Sequence, residues 1–216
     1  MSISAVRFLG RSLIAVLALA MFAGTASAQL VEGKNYVRIP SPQPVETGNK
    51  IEVIEFFSYG CPHCAALEPF LDKWLDKLPS DVAFRRIPVM FHQDWVQLAK
   101  VYYTLDAMDD ARKLSPEVFK AIHQQNVNLA DKNKFFDWAA SNGLDKKKVE
   151  DVFNSFGIDG KVKRAMQLAQ EYHIEGVPTV IVDGKFMTSS DRVGTHANLP
   201  PAITELVAKA RSERKS

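Results

Sequence analysis

Cysteine is nearly absent. Cys61 and Cys64 are the only two in 216 residues. A single pair excludes a disulfide-built scaffold, in which several bridges replace a missing hydrophobic core. It also argues against a structural zinc centre, which takes four ligands, because His92, His123, His173 and His196 are scattered without ligand spacing. An excess of one charge is missing too, with 27 Lys and Arg against 25 Asp and Glu. When residues 1–28 are set aside, two arginines and no acids go with them, and the counts become equal. A neutral chain offers no electrostatic case for nucleic acid. The one long apolar run, residues 13–22, is too short for a membrane span of about 20 residues. There are no internal repeats and no low-complexity segment.

That apolar run has a specific setting. Arg7 and Arg11 precede or border it, and Ala26-Ser27-Ala28 follows it. A positive start, an apolar core and a small-residue A-x-A site are the layout of a secretory signal peptide. Cleavage after residue 28 is expected, with export of the remaining chain. No cysteine stands at the cleavage site, which excludes lipid attachment there.

Residues 29–50 are polar and rich in proline and read as a leader and edge segment. Residues 51–57, IEVIEFF, are apolar and β-branched or aromatic and read as a strand buried on both faces. A turn at 58–60 leads into a helix from the cysteines to about residue 78, with Leu67, Phe70, Leu71, Trp74, Leu75 and Leu78 at helical spacing. Pro69 falls inside it. Residues 81–91 give a second strand. From residue 94 the period is helical: 94–108, 115–126, 131–143, 145–157 and 159–174. Ser115 before Pro116 predicts an N-cap with proline at the first helical position. Asp183-Gly184 between two short strands predicts a type I′ hairpin. A last helix covers about 199–210, and residues 211–216 are expected to fray.

The chemistry concentrates in Cys61-Pro62-His63-Cys64. At a helix start, backbone N–H groups of the first turn lack intrahelical partners, and the helix dipole adds positive potential. Both favour a thiolate, the reactive form of cysteine. Cys61 at the exposed tip is the candidate nucleophile, and Cys64, one turn in, the resolving thiol. Pro62 has φ preset for the first turn and no N–H to lose. His63 brings an imidazole beside the terminal sulfur. A disulfide closing so short a loop constrains little of the unfolded chain, so a purely structural staple gains little. Covalent haem attachment needs C-x-x-C-H, and Ala65 stands where the histidine would be. Glu55 lies in a strand expected to be buried on both faces. Desolvation would raise its pKa, so that it could carry the proton of Cys64. The alternative is a glutamate on a solvent-facing edge.

EFFSYGCPHC at 55–64, Pro69 five residues after Cys64, and GVPT at 176–179 resemble the thioredoxin superfamily. The C-P-H-C pair, the block of helices and the export signal are most similar to its DsbA family of periplasmic thiol:disulfide oxidases. The resemblance covers essentially the whole chain after residue 28. It implies an α/β thioredoxin fold, a central mixed sheet flanked by helices, made of 29–91 and 173–216 and interrupted by an all-helical domain at 92–172. It implies a redox-active Cys61–Cys64 disulfide, with an acidic first cysteine and oxidising character. It implies a cis Pro178 facing the disulfide, so that Val177, Pro178 and Thr179 meet an extended substrate segment. It places a basic partner for Glu55 at Arg86, or less readily at Arg85. Neither a cofactor nor a metal is implied.

The expected function is therefore oxidation of newly exported, unfolded proteins that carry free cysteines, with reoxidation by a DsbB-type, quinone-linked membrane partner. The nearest alternative is a reductase or isomerase of the same superfamily. Isomerases carry a separate N-terminal dimerisation domain, and only about 22 residues separate the expected cleavage site from the first core strand, which argues for a monomer. A second alternative is a metal carrier using Cys61, Cys64 and His63. A third is a redox-inert chaperone with a groove.

Overall fold

The structure is a computed structural model that describes residues 29–215. The expected signal peptide lies outside these residues. Residues 31–216 form one compact unit. Among the described residues no helix is long and apolar enough to cross a membrane.

The chain begins with a short edge strand, β1 (Val37–Arg38), then β2 (Ile51–Phe57), α1 (Pro62–Leu75) and β3 (Val82–Pro88). A helical block follows: α2 (Gln93–Ala107), α3 (Ala111–His123), α4 (Lys132–Ser141), α5 (Lys146–Phe153) and α6 (Phe156–Glu171). The chain then returns to the sheet as β4 (Thr179–Val182) and β5 (Phe186–Ser189) and closes with α7 (Ser190–Val193), a 3₁₀ turn (His196–Asn198) and α8 (Leu199–Glu213). The sheet order is β1-β5-β4-β2-β3. Only β2 and β3 are parallel, in a register that sets Glu55 opposite Arg86. β4 runs antiparallel to β2, with Val180 opposite Glu55. This is the expected mixed sheet flanked by helices.

β2 is buried at all seven positions, as a central strand covered on both faces must be. On α1 the buried residues are Cys64, Leu67, Glu68 and Leu71, one stripe at helical spacing. Phe70, which shares the apolar pattern, lies off that stripe and is 41% exposed. Pro69 sits inside α1. Around the turn after β2, aromatic rings meet edge to face: Phe57 with Tyr59 and Tyr102, and Tyr59 with Phe119. Such pairs contribute about 1 kcal/mol each beyond the area they bury.

The Asp183-Gly184 turn forms as expected. Both residues have positive φ, and Lys185 N–H donates to Val182 C=O at 3.0 Å. A Cβ on Gly184 would lie 2.1 Å from the Gln43 carbonyl oxygen, so this turn tolerates glycine alone. Gln43 N–H donates to Gly184 C=O at 3.1 Å and Ile39 N–H to Lys185 C=O at 2.7 Å, which fasten the proline-rich 39–43 segment along the sheet edge.

Four local expectations are corrected. α1 stops at Leu75, three residues early, in a turn at 76–77. Ser115 is not an N-cap. α3 starts four residues earlier, Pro116 lies inside it, and the buried Ser115 hydroxyl pairs with Tyr59. Burying that hydroxyl against a partner outweighs the local capping preference. The helix expected over 145–157 breaks at Asn154, because Ser155 caps the next helix with its side chain accepting from Ile158 N–H. The C-terminal segment does not fray at 211. α8 continues to Glu213, Arg211 bonds Asp81 through two N–H groups, and Arg214 donates to both carboxylate oxygens of Asp183.

Asp183 is only 3% exposed, so its charge depends on Arg214 and on Lys185 at 3.1 Å. Arg214→Ala should therefore destabilise the fold by about 1 kcal/mol or more, whereas a free tail residue would have no measurable effect. Urea unfolding of both proteins decides between the two.

Candidate active site

β2 ends beneath the N-terminus of α1, and the turn between them carries the redox motif. Cys61 is the N-cap with extended backbone, and Pro62 follows at the first helical position. Cys61 N–H donates to Ser58 C=O at 3.1 Å, and the Ser58 hydroxyl accepts from Gly60 N–H. The turn is held from the helical block as well. The Tyr59 hydroxyl lies 2.7 Å from the Ser115 hydroxyl, and His123 Nε2–H donates to Tyr59 C=O at 2.8 Å. The Trp95 ring covers Gly60 so closely that a Cβ there would stand 2.4 Å from Nε1.

The two thiols differ in environment. Their sulfurs are not bonded to each other in this structure. The Cys61 pKa is lowered to about 6, first by the Cys64 thiol, then by the backbone N–H groups of Cys64 and His63 and the His63 charge, against the desolvation of partial burial. The Cys64 thiol is pushed far up, first by burial, then by the Cys61 sulfur and the charge of Glu55. The pair is thus one acidic and one strongly basic thiol. Cys61 is only 5% exposed, so the expected exposed tip is corrected to a narrow opening.

The Val177–Pro178 peptide is cis, and the Cys61 thiol lies 3.4 Å from Val177 C=O. Pro178 is buried, and Thr179 begins β4 with its hydroxyl donating to Gly176 C=O at 2.7 Å. Cys61, Pro62, His63, Cys64, Val177, Pro178 and Thr179 are therefore gathered at one end of the sheet.

Glu55 is buried in β2, 1% exposed. The structure pairs it with Arg86, whose Nε donates to Glu55 Oε2 at 2.7 Å and whose other nitrogens hold both oxygens of Glu68 on α1. Arg85 turns the other way, to Glu46 and Glu52. Desolvation pushes Glu55 up to about 7 although Arg86 opposes it, and Glu68 adds to the rise. Glu55, Arg86 and Glu68 are a buried charged triad, one member each from β2, β3 and α1.

The resemblance between this chain and known proteins is extensive. The DSBA-like thioredoxin domain model matches residues 52–199. The thiol:disulfide interchange protein DsbA of Bordetella parapertussis is 41% identical over 201 residues, 92% of this chain and 96% of that protein. The DsbA of Pseudomonas aeruginosa is 38% identical over 205 residues, 94% and 97% of the two chains. Its crystal structure superposes with a TM-score of 0.83, covering 87% of this chain and 97% of that one. Reduced DsbA1 from Neisseria meningitidis gives 0.78 at 31% identity, covering 87% and 98%. This chain belongs to the DsbA family. It is accordingly a thiol:disulfide oxidoreductase.

Within that family frame, residues with no local signal stand out. Glu68 lies in the buried stripe of α1, and only its pairing with Arg86 across to β3 accounts for a carboxylate there. His196 faces His63 with ring centroids 6.1 Å apart and is oriented by the Ser190 hydroxyl, 2.7 Å from Nδ1. Ser115, His123 and Trp95 reach the turn from the helical block, through tertiary contacts invisible to spacing. No group of three or more metal-binding side chains occurs among the described residues.

The raised Glu55 pKa has a sign that can be measured. The folded state keeps a proton that the unfolded state releases, so stability is complete below about pH 4.5 and falls as pH rises through about 7. Glu55→Gln should remove that fall, up to about 3 kcal/mol, and should be the more stable protein at pH 8. Denaturant unfolding from pH 4 to 8 checks this, and parallel pH profiles in the two proteins would exclude a raised Glu55.

Proposed function

We propose that this protein works as an oxidase of exported polypeptides in the periplasm. The observation that carries the reading is the asymmetry of the thiol pair: Cys61 lowered to about 6 at a helix N-terminus and Cys64 raised beneath it. The signal layout of residues 1–28 and membership of the family support the compartment. A thioredoxin-like unit of 29–91 and 173–216 would carry the chemistry, with residues 92–172 as the inserted helical part, and the protein would act as a monomer.

Oxidation proceeds by two exchanges. A client thiolate attacks Sγ of Cys61 in the Cys61–Cys64 disulfide. The S–S bond breaks, a mixed disulfide forms, and Cys64 leaves and takes up a proton, for which the buried Glu55, raised to about 7, is the candidate donor. A second client thiolate then attacks the client sulfur of the mixed disulfide. Cys61 leaves as a thiolate, and the client holds a new disulfide. Two electrons have passed from client to Cys pair. An acidic leaving thiol speeds the second step and favours the oxidised client. The client backbone would lie along Val177, Pro178 and Thr179, adding a short extended segment beside the reactive sulfur. The His63 imidazole beside Cys61 contributes to the lowering of its thiol pKa. A DsbB-type, quinone-linked membrane protein would accept the two electrons and restore the disulfide.

The assignment of roles is tested by trapping. Cys61→Ser should abolish exchange. Cys64→Ala should accumulate mixed disulfides through Cys61 with clients that have no second free thiol, because Cys64 is no longer there to release them. Adducts formed through Cys64 in the unmodified protein would reverse the roles.

A second test follows from the lowered Cys61 pKa. The folded value lies below the unfolded one, so the thiolate contribution is complete above the unfolded pKa of about 8.5 and lost as pH falls through about 6. The reduced protein should gain on the oxidised one by at most about 3 kcal/mol between pH 5 and pH 9, less where solvent at the opening screens the sulfur. Loop closure by the disulfide favours the oxidised form by about 2 kcal/mol at every pH. The two forms should therefore be close in stability near neutrality, with the reduced form gaining up to about pH 8.5 and losing ground again above it, because the buried Cys64 thiol keeps a proton that the unfolded chain releases. Unfolding of both forms across this range measures the difference, and a gap independent of pH would rule out an acidic Cys61.

A further inference from the structure

A cavity of about 600 Å³ is lined by Leu75 and Leu78 at the C-terminal end of α1 and just after it, and by Arg86 of β3 and Ser115 of α3, with neither cysteine in its wall. That volume suits a drug-sized ligand. Its floor is apolar, formed by Leu75, Leu78, Phe84, Ile87 and Leu168. Tyr102 and Tyr103 of α2 also line it, with ring centroids 5.2 Å apart. These two tyrosines are only 7% and 9% exposed. Neither hydroxyl bonds a protein group, and no fully buried side-chain polar atom among the described residues lacks a partner, so both oxygens are open to solvent at the cavity they line. They differ in this from the Tyr59 hydroxyl, which is paired with Ser115. Burial, with the charge of Asp106 adding to it, raises both tyrosine pKa values, so both remain O–H donors.

The rim supplies more donors. Arg112 holds Asp76 at 2.6 Å, Lys161 holds Asp106 at 2.7 Å, and Arg164 holds Glu46 at 3.0 Å and Glu171 at 3.1 Å. An ammonium has three N–H groups and a guanidinium five, so each keeps free donors after these pairings. Arg85 and Arg86 also border the cavity but are engaged by Glu46, Glu52, Glu55 and Glu68. The only carboxylates in the lining are Glu46 and Asp106. An apolar floor under an excess of donors calls for oxygen acceptors on an apolar body.

We infer that this cavity binds a small amphipathic carboxylate, an aryl or medium-chain acyl acid, with its oxygens on the Tyr102 and Tyr103 hydroxyls and the Arg112–Lys161 side of the rim. The site is separate from the thiol pair and takes no part in exchange.

The probe is 2-naphthoate, titrated calorimetrically into the full protein. Saturable one-to-one binding is expected. Tyr102→Phe with Tyr103→Phe deletes two oxygens that touch no protein group, so folding and thiol exchange should be retained while affinity falls about tenfold or more. Naphthalene-2-methanol, which keeps the ring and loses the charge, should bind about tenfold more weakly or worse. Ala111→Trp, at the cavity lining, should block binding and provides an independent variant should the tyrosine pair fail to fold. Absence of saturation by 2-naphthoate, an unchanged affinity in the double variant, or equal binding of the alcohol would each overturn the assignment.

Discussion

One buried cation organises the reactive end of this molecule. Arg86 is 8% exposed and lies between Glu55 and Glu68, each 5% exposed or less. Placing three ionisable groups in so dry a place costs several kcal/mol per ion unless geometry and hydrogen bonds offset it. Here they do, because all three guanidinium nitrogens meet carboxylate oxygens and the guanidinium lies near the Phe57 and Phe84 rings. The triad takes one residue from each arm of the β2–α1–β3 unit. It therefore fixes α1 over the strands, and α1 carries Cys61 at its tip. Two carboxylates face one guanidinium, so one acid is driven towards its neutral form. Desolvation selects Glu55.

From that arrangement the inequality of the thiols follows. Cys61 sits where the first-turn N–H groups of α1 converge, and Cys64 sits one turn in, 0% exposed, where burial first and then the neighbouring Cys61 sulfur disfavour a second thiolate. The same helix thus stabilises negative charge on one sulfur and excludes it from the other. A symmetric pair would have no preferred nucleophile and no preferred leaving group.

Much of this was legible in the chain and part of it was not. The apolar β-branched run of β2, the helix beginning at the cysteines and the Asp183-Gly184 turn depend on neighbours in sequence, and each formed as its local chemistry dictates. Glu55 could be read as a buried acid because its strand had no polar face. Glu68 could not, because α1 has two faces and only the placement of Arg86 decides which one hides a carboxylate. Ser115 misled for a related reason. Its position before Pro116 matches a helix start, but a buried partner on Tyr59, 56 residues away, determined its role. The capping of α6 by Ser155 and the pinning of Arg214 by Asp183 were likewise decided by alternatives that local spacing weighs equally.

The helical block matters to the chemistry through what it touches. Three of its side chains converge on the 58–60 turn: Ser115 on the Tyr59 hydroxyl, His123 on the Tyr59 carbonyl, and Trp95 over Gly60. A turn leading into a helix has few hydrogen bonds of its own, and this one has Ser58 with Gly60 and Cys61. The orientation of the first-turn N–H groups towards the Cys61 sulfur depends on that turn keeping its shape. Side chains delivered from α2 and α3 supply the restraint that the βαβ unit lacks at this point. The acidity of Cys61 is thus a property of the strand–turn–helix junction and also of the helices α2 and α3 that brace it.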